Sequence, residues 1–266
     1  MLADMHVHTK FSLDSSASIE SMAEKAISIG IDTICITDHL DWDFPEKHLI
    51  FDFDVTEYQK AIEDVRDKYK DRLDIRMGVE LGMQPHLAER YQKLLDQYPF
   101  DYVLGSLHLL RNRDPYYKEA FLGITDQEAY QSYFEGILSN IKVFHGFDAL
   151  GHLDYVVRYG KEKAKSYRVS DYLDIVDEIL KELIDHGKAL EVNSAGLRKN
   201  LGFPNPHTDI IKRYKELGGE QITVGADAHK PLHIGYAFKE TESILLDCGF
   251  EYYVRYKQRK PEFVRI

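Results

Sequence analysis

Two histidines separated by one residue stand almost at the amino terminus, in the stretch Asp4-Met5-His6-Val7-His8-Thr9. This stretch is typical of the end of a β-strand, where alternate side chains point to the same side. His6 and His8 are therefore predicted to project together and to bind one metal ion, since neutral imidazole is the commonest metal ligand. A lone pair of this kind is more often one packed and one surface histidine, so the prediction depends on further ligands nearby.

Similar residue types recur where later predicted strands end. These ends are Thr37-Asp38-His39, Gly78-Val79-Glu80, Gly105-Ser106-Leu107-His108, Gly151-His152-Leu153-Asp154 and Gly225-Ala226-Asp227-Ala228-His229. The carboxyl ends of the strands of a parallel barrel converge on one face, so these residues are predicted to share a pocket. Taken singly, each is also compatible with a solvated loop residue or a satisfied core group.

The predicted ligand set contains nitrogen and oxygen donors without sulfur, which suits Zn, Mn or Fe. It is too large for a single ion, because one zinc takes about four ligands. A multinuclear hydrolytic centre is therefore predicted from His6, His8, His39, Glu80, His108, His152, Asp227 and His229. The other histidines fall in loops or helices and are left outside it, with His233 as a candidate for the outer shell only.

Alternating strand and helix patterns must position these residues. The predicted strands are Leu2–Val7, Thr33–Thr37, Asp74–Val79, Asp101–Leu107, Phe147–Gly151, Ala189–Val192 and Gln221–Gly225. Amphipathic stretches lie between them, with Ser18 and Thr56 as candidate helix caps and Ser170 preceding a further helix. The alternation predicts an α/β barrel of seven strands in one domain covering residues 1–266, with an open doubly wound sheet as the alternative.

Composition limits the class of protein. The 266 residues carry a net charge of −11, which argues against broad neutralisation of nucleic-acid phosphates. Cys35 and Cys248 are too few for a disulfide framework or a cysteine-rich zinc site. Met1 leads directly into the first strand and no apolar run is long enough to span a bilayer, so a cytoplasmic location is predicted. The oligomeric state is not predicted.

At these residues the chain resembles the polymerase-and-histidinol-phosphatase (PHP) family along its whole length. The resemblance implies a distorted (β/α)7 barrel with three divalent metal ions, commonly Zn, Fe or Mn. It also implies three ligand sets: His6, His8, Glu80 and Asp227; Glu80, His108 and His152; and Asp14, His39 and His229. Asp14, in Ser12-Leu13-Asp14-Ser15-Ser16, is equally compatible with a loop or cap residue.

Within the family, the stretches from Gly151 to Tyr159 and from Glu191 to Arg198 resemble stand-alone histidinol-phosphate phosphatases. Arginines at such positions hold the substrate phosphate there, and guanidinium groups bind phosphate in a bidentate manner. Arg158 and Arg198 are thus predicted to bind phosphate, although Arg158 could instead belong to a solvated basic loop. Tyr117 is predicted to add a hydrogen bond, with Tyr116 as its alternative.

The implied reaction is the hydrolysis of L-histidinol phosphate to L-histidinol and phosphate in histidine biosynthesis. A hydroxide bridging the metals would attack phosphorus, with Glu80, Asp227 and His229 as catalytic residues. The proton donor to the leaving oxygen is not assigned, and Asp41 and Asp43 are candidates for an acidic wall around the substrate. The alternatives are action on a small nucleotide or another phosphomonoester, a polymerase-associated exonuclease, a metal-independent binding protein, and an amidohydrolase-like enzyme.

Overall fold

A computed structural model describes residues 3–266, so Leu2 of the first predicted strand lies outside the described residues. The strands are β1 (Ala3–Val7), β2 (Thr33–Ile36), β3 (His39–Leu40), β4 (Asp74–Gly82), β5 (Tyr102–Ser106), β6 (Ala149–Leu150), β7 (Ala189–Asn193), β8 (Ile222–Gly225), β9 (Tyr252–Lys257) and β10 (Lys260–Arg265). The helices are α1 (Ile19–Ser28), α2 (Val55–Tyr69), α3 (Ala88–Gln97), α4 (Asp126–Val143), α5 (Leu173–Asp185), α6 (Ala195–Arg198), α7 (Thr208–Glu216) and α8 (Phe238–Asp247). Short 3₁₀ turns cover Pro85–Leu87, Lys118–Phe121, Tyr155–Arg158, Lys163–Lys165, Val169–Tyr172 and Pro231–His233.

Seven parallel strands form the body of the fold in the order β1-β2-β4-β5-β6-β7-β8, and the short β3 pairs with β4. The two edges of this sheet meet. The His8 amide donates to the Ala228 carbonyl at 2.9 Å, and the Ala228 amide donates to the His6 carbonyl at 3.2 Å. The predicted seven-stranded α/β barrel is therefore confirmed, and the open doubly wound alternative is wrong. The distortion is visible in β6, which has only two residues, and in a register shift within β1.

Every predicted strand range overlaps an observed parallel strand because each is a short apolar run covered on both faces. The helix caps were predicted less well. Ser18 does cap α1, accepting the Ser21 amide. Asp54 rather than Thr56 caps α2, and a 3₁₀ turn rather than the Ser170 side chain leads into α5.

The antiparallel hairpin β9-β10 was not predicted and contacts the amino ends of the barrel strands. The Tyr256 ring stacks on Tyr102 of β5 with a centroid separation of 5.4 Å. Arg76 of β4 donates to the Tyr256 carbonyl at 2.7 Å. The hairpin therefore covers this end of the barrel, and the carboxyl ends of the strands remain open for a site. Among residues 3–266, no helix has both the length and the apolar character needed to cross a membrane.

Candidate metal centre

The carboxyl ends of the barrel strands bring together all nine residues of the predicted ligand set. His6 and His8 lie at the end of β1, His39 lies in β3, and Glu80 lies in β4. The remaining five follow strands or lie in the loop after β1: Asp14, His108, His152, Asp227 and His229. The barrel thus brings residues that are spread over more than two hundred positions of the sequence into one cluster.

Glu80 is the centre of this cluster, and its two carboxylate oxygens face different histidines. Oε2 lies 3.2, 3.5 and 3.1 Å from nitrogens of His6, His8 and His39, respectively. Oε1 lies 2.9 and 3.2 Å from Nε2 of His152 and His108, respectively. Ser106 donates to the same Oε1 at 2.7 Å and orients the carboxylate. This geometry is that of a carboxylate able to bind two ions.

Asp14 and His229 form a further part of the cluster beside His8 and His39. The Asp14 carboxylate lies 2.9 Å from His229 Nε2 and 3.9 Å from His39 Nε2. The His8 ring lies between the other two imidazoles, with centroid separations of 4.1 Å to His229 and 4.3 Å to His39. The position of Asp14, which was ambiguous in the sequence, is therefore that of a group facing the site.

Asp227 adopts an unusual backbone conformation at the site. Its φ of +52° lies in the left-handed region, which non-glycine residues seldom occupy outside constrained or functional positions. This conformation places its Oδ1 3.6 Å from His8 Nε2 and 3.4 Å from His229 Nδ1. Its second oxygen, Oδ2, accepts a hydrogen bond from Arg158 at 3.1 Å. Asp227 therefore joins the histidine cluster to the first predicted phosphate-binding arginine.

The protonation equilibria of these groups are strongly perturbed. Burial would raise the pKa of Glu80, but the surrounding histidines hold it well below its ordinary value. Burial would lower the pKa of His39, yet Glu80 and Asp14 raise it to about 9. Burial and the neighbouring imidazoles of His229 and His39 hold the pKa of His8 far below its usual range. The pKa values of the neighbouring residues His39 and His8 are thus shifted in opposite directions.

The donor set fits divalent cations. His6 Nε2 and His8 Nε2 face each other at 2.9 Å, beside the Glu80 carboxylate. Within residues 3–266, His39 Nδ1 and His229 Nε2 have no well-directed hydrogen bond, although each lies close to a carboxylate oxygen. Three groups have ligand atoms within 4.8 Å of one another: His6-His8-Glu80, His8-His39-His229 and His39-Glu80-His108. Distances of this size between nitrogen and oxygen donors are compatible with shared cations.

Two buried carboxylates behind the ligands were missed as positioning groups. Glu191 of β7 lies 2.6 Å from His6 Nδ1, and Asp41 lies 2.6 Å from His108 Nδ1. Carboxylates in this position set the tautomer of a ligating histidine and raise its basicity. A charged residue inside the apolar strand Ala189–Val192 was the available signal for Glu191.

Asp41 and Asp43, the two acids predicted to form a wall around the substrate, lie in different environments. Asp41 is buried against His108, whereas Asp43 is exposed and pairs with His86 and Arg90 on the surface. Asp43 is therefore wrong as a component of the site. The sequence cannot separate them, because both acids follow His39 within four residues.

Both predicted arginines lie at the metal cluster. Arg158 is buried and donates to Asp227, Asn193 and Asn205, at 3.1, 3.2 and 2.8 Å. The alternative that it belongs to a solvated loop is therefore wrong. Arg198 donates to the Asp227 carbonyl at 2.9 Å, and its Nη1 lies 2.7 Å from His233 Nδ1. His233 consequently contacts an arginine of the site.

Two cavities open onto the cluster. The basic cavity has a volume of about 330 Å³ and is lined by ligand residues together with Arg158, Arg198, Lys199, Lys230 and His233. The aromatic cavity has a volume of about 380 Å³ and is lined by Phe44, Phe51, Tyr116, Tyr117, Asp41 and Asp114, among others. Tyr155 and Tyr159 line both cavities, as do Asp14, His39 and His108. A substrate with an anionic end and an aromatic, cationic end would occupy both.

Some of these lining residues differ from the sequence predictions. Tyr117 lines the aromatic cavity and is absent from the lining of the basic cavity. Lys199 was missed, although it directly follows Arg198. Partial burial, together with the positive charges of Arg158 and Arg198, lowers the pKa of Lys199.

Comparison with known proteins agrees with this geometry. The PHP domain family matches residues 4–195. A protein of Clostridium acetobutylicum described as a probable histidinol-phosphatase is 34% identical over 251 residues, covering 94% of this chain and 95% of the relative. A probable histidinol-phosphatase of Thermotoga maritima is 34% identical over 254 residues, covering 94% of each chain.

A solved structure is similar over almost the whole length. It is a histidinol phosphate phosphatase from Lactococcus lactis subsp. lactis, crystallised with zinc, L-histidinol and phosphate. It superposes with a TM-score of 0.91 at 30% sequence identity and covers 98% of both chains. With the family match extending from β1 into α6 and the predicted ligands assembled at one end of the barrel, the chain belongs to the PHP domain family.

Proposed function

We propose that this protein is a metal-dependent phosphomonoesterase that hydrolyses L-histidinol phosphate to L-histidinol and phosphate. The observation that carries the proposal is the position of Arg158 and Arg198, which both contact Asp227 of the metal-binding cluster and line one cavity with it. The Lactococcus lactis relative, which binds zinc, L-histidinol and phosphate, supports this choice of substrate.

We assign three divalent ions to the cluster, as Zn, Mn or Fe. His6, His8, Glu80 and Asp227 would hold the first, and Glu80, His108 and His152 the second. Asp14, His39 and His229 would hold the third. When bound, such ions supply Lewis acidity, lower the pKa of a water molecule and neutralise charge on a phosphoryl group. Glu80, Asp227 and His229 are proposed as catalytic residues because they would hold the ions that activate water beside the phosphoryl group.

The arginines would bind the phosphoryl oxygens without needing to be reorganised. Arg158 is held by Asn193, Asn205 and Asp227, so its planar fork is oriented before substrate arrives. Donors positioned in advance stabilise charge that develops in the transition state at no further cost of ordering. Arg198 is fixed through the backbone carbonyls of Ala226 and Asp227. Both guanidinium groups keep their charge at any physiological pH.

The aromatic cavity would bind the leaving alcohol. L-Histidinol carries an amine and an imidazole, and both suit a cavity with acidic and aromatic walls. Asp114 lines this cavity beside Tyr116 and Tyr117, and Asp41 lies at the boundary with the ligands. Tyr117 is therefore retained as a proposed substrate-binding residue on this side. Sugar phosphates and nucleotides lack the cationic amine that these acids would pair with.

We further propose that the barrel is a single domain of residues 1–266 that acts in the cytoplasm on a small molecule and has no nucleic-acid partner. Cys35 and Cys248 are both free thiols, which suits a reducing compartment. The net charge of −11 is unfavourable for binding polynucleotides.

Phosphate release from L-histidinol phosphate, nucleotides and sugar phosphates tests the assignment, with Zn²⁺ or Mn²⁺ added to chelated enzyme. The expected result is turnover that requires metal and a kcat/KM that is highest for L-histidinol phosphate. Better turnover of a nucleotide would overturn the substrate, and full activity after thorough chelation would overturn the metal dependence.

A matched pair of arginine variants tests the phosphate site. Arg198→Ala should raise KM strongly at unchanged metal content, by about tenfold to a hundredfold for the loss of a charged hydrogen bond. Arg168→Ala, on an exposed loop where its guanidinium meets only backbone carbonyls, is the control and should leave KM unchanged. Loss of metal from the Arg198 variant would show that this arginine maintains the centre and does not bind phosphate.

A further inference from the structure

The end of the barrel opposite the metal centre carries another group of metal-binding side chains. His145 lies between α4 and β6, and Glu182 and His186 lie in the last turn of α5 and directly after it. β6 and β7 begin at this point, so the group lies at the amino ends of the strands. A nitrogen of each imidazole and a carboxylate oxygen of Glu182 lie within 4.8 Å of one another.

The two imidazoles are stacked. Their centroids are 4.1 Å apart and their planes differ by 15°. The stacked rings lie side by side with a nitrogen of each near the Glu182 carboxylate. Neutral imidazole is the form that binds metal ions.

His186 contacts both the backbone and the side chain of Glu182. Its Nδ1 lies 3.0 Å from the Glu182 carbonyl and 3.2 Å from a carboxylate oxygen of the same residue. An Nδ1–H donated to the carbonyl leaves the lone pair on Nε2 free, as in metal-binding histidines whose second nitrogen is hydrogen-bonded. Glu182 and His186 are four residues apart and therefore share one side of the helix end.

We propose that His145, Glu182 and His186 form a surface site for a borderline divalent cation such as Zn²⁺, Ni²⁺ or Cu²⁺, separate from the catalytic centre. Two imidazoles and a carboxylate, completed by water, match the donors that these ions accept. The bound ion would tie the connection before β6 to the end of α5 and stabilise the folded chain by linkage. Because the site is exposed and has three protein ligands, the ion would exchange more readily than those at the buried cluster.

Zinc counting on the fully loaded enzyme tests the proposal. Equilibrium dialysis at a fixed free Zn²⁺ concentration would compare the wild type, the double variant His145→Ala/His186→Ala and the control His86→Ala. His86 is an exposed histidine outside both clusters. The wild type and the control should bind one more zinc per chain than the double variant, at equal turnover. Equal zinc content in all three proteins would overturn the site.

Spectroscopy identifies the ligands. Cu²⁺ added to the zinc-loaded enzyme should show nitrogen hyperfine coupling from two imidazoles in the wild type and from one in His145→Ala or His186→Ala. Glu182→Gln should weaken copper binding while keeping both nitrogens. Ni²⁺ should raise the melting temperature of the wild type and not that of the double variant. A copper spectrum that is unchanged in the double variant would place copper elsewhere and overturn the proposal.

Discussion

The two ends of the barrel both bury charged side chains, but only one end pairs them fully. At the amino end, Arg76 contacts Asp74 and Glu262 at 2.8 and 2.7 Å, and Arg259 pairs with Asp148. At the carboxyl end, carboxylates and crowded imidazoles face one another with nitrogens that lack well-directed hydrogen bonds. The buried charges of the amino end are paired within the chain, whereas the buried groups of the carboxyl end are complementary to cations that the protein must acquire.

This difference separates the residues that stabilise the fold from those that form the metal-binding site. A buried charge is tolerated when a partner and hydrogen bonds compensate its desolvation. The hairpin β9-β10 supplies such partners at the amino end, through Glu262 and the Tyr256 carbonyl. At the carboxyl end, where barrels of this kind place their active sites, Glu80 and Asp227 are instead surrounded by crowded imidazoles such as His8. The following variants test that separation.

The largest effect is expected for Glu80→Gln. The amide cannot replace a carboxylate shared between two groups of histidines, so metal content should fall and turnover should drop by at least about 10³-fold, equivalent to several kcal/mol. The measurements are metal analysis and kcat/KM for L-histidinol phosphate. Glu262→Gln, a carboxylate at the amino end, should keep both. A Glu80→Gln enzyme with normal metal and turnover would contradict the proposed centre.

Arg76→Met should give the largest loss of stability. It removes a buried guanidinium that joins β4 to the hairpin, which should lower the free energy of unfolding by about 3 kcal/mol. This value is at the lower end of the range for broken buried pairs, because Asp74 and Glu262 retain contact with water. Urea denaturation measures it, and Arg72→Met on the surface is the control. Unchanged stability, or a loss of metal from the folded variant, would contradict the conclusion that the amino end stabilises the fold and the carboxyl end binds metal.

Glu191→Gln should affect the metal centre through His6 and through His152, whose backbone amide donates to the second Glu191 oxygen at 2.8 Å. The neutral amide is a weaker acceptor for His6 Nδ1–H, so metal affinity should fall about tenfold to a hundredfold at nearly normal folding stability. Competition with a chelator measures the affinity. Glu220→Gln, an exposed acid before β8, should have no effect. If affinity were unchanged, Glu191 would be a packing residue only.

The smallest effect is expected for Lys199→Ala. Lys199 is an exposed residue that lines the basic cavity and adds charge beside the two arginines, a contribution of about 1 kcal/mol or about a fivefold rise in KM. The value of kcat should hardly change, and Lys199→Arg should restore KM. Steady-state kinetics with L-histidinol phosphate measure both constants. A large fall in kcat instead would place Lys199 closer to the reacting atoms than proposed.

Much of the fold was predictable because local patterns and tertiary structure agree. Each parallel strand is a mostly apolar run with a polar residue at its end or within the next two positions, and the helices between them are amphipathic. The hairpin was missed because Tyr252–Lys257 and Lys260–Arg265 mix charged and aromatic residues and flank a turn with positive φ at Gln258 and Arg259. Its role depends on contacts with β4 and β5 that are distant in sequence.

The sequence by itself determined the kinds of ligand and the end of the barrel at which they meet. His6, His8, Glu80 and Asp227 follow or end strands, and parallel strands leave no other common place for them. Only the tertiary structure decided which atoms face each other. These contacts include the division of the histidines between the two Glu80 oxygens, the burial of Arg158 and the pairing of Glu191 with His6. Such contacts depend on differences of an ångström between chain segments far apart in sequence, and no local pattern encodes them.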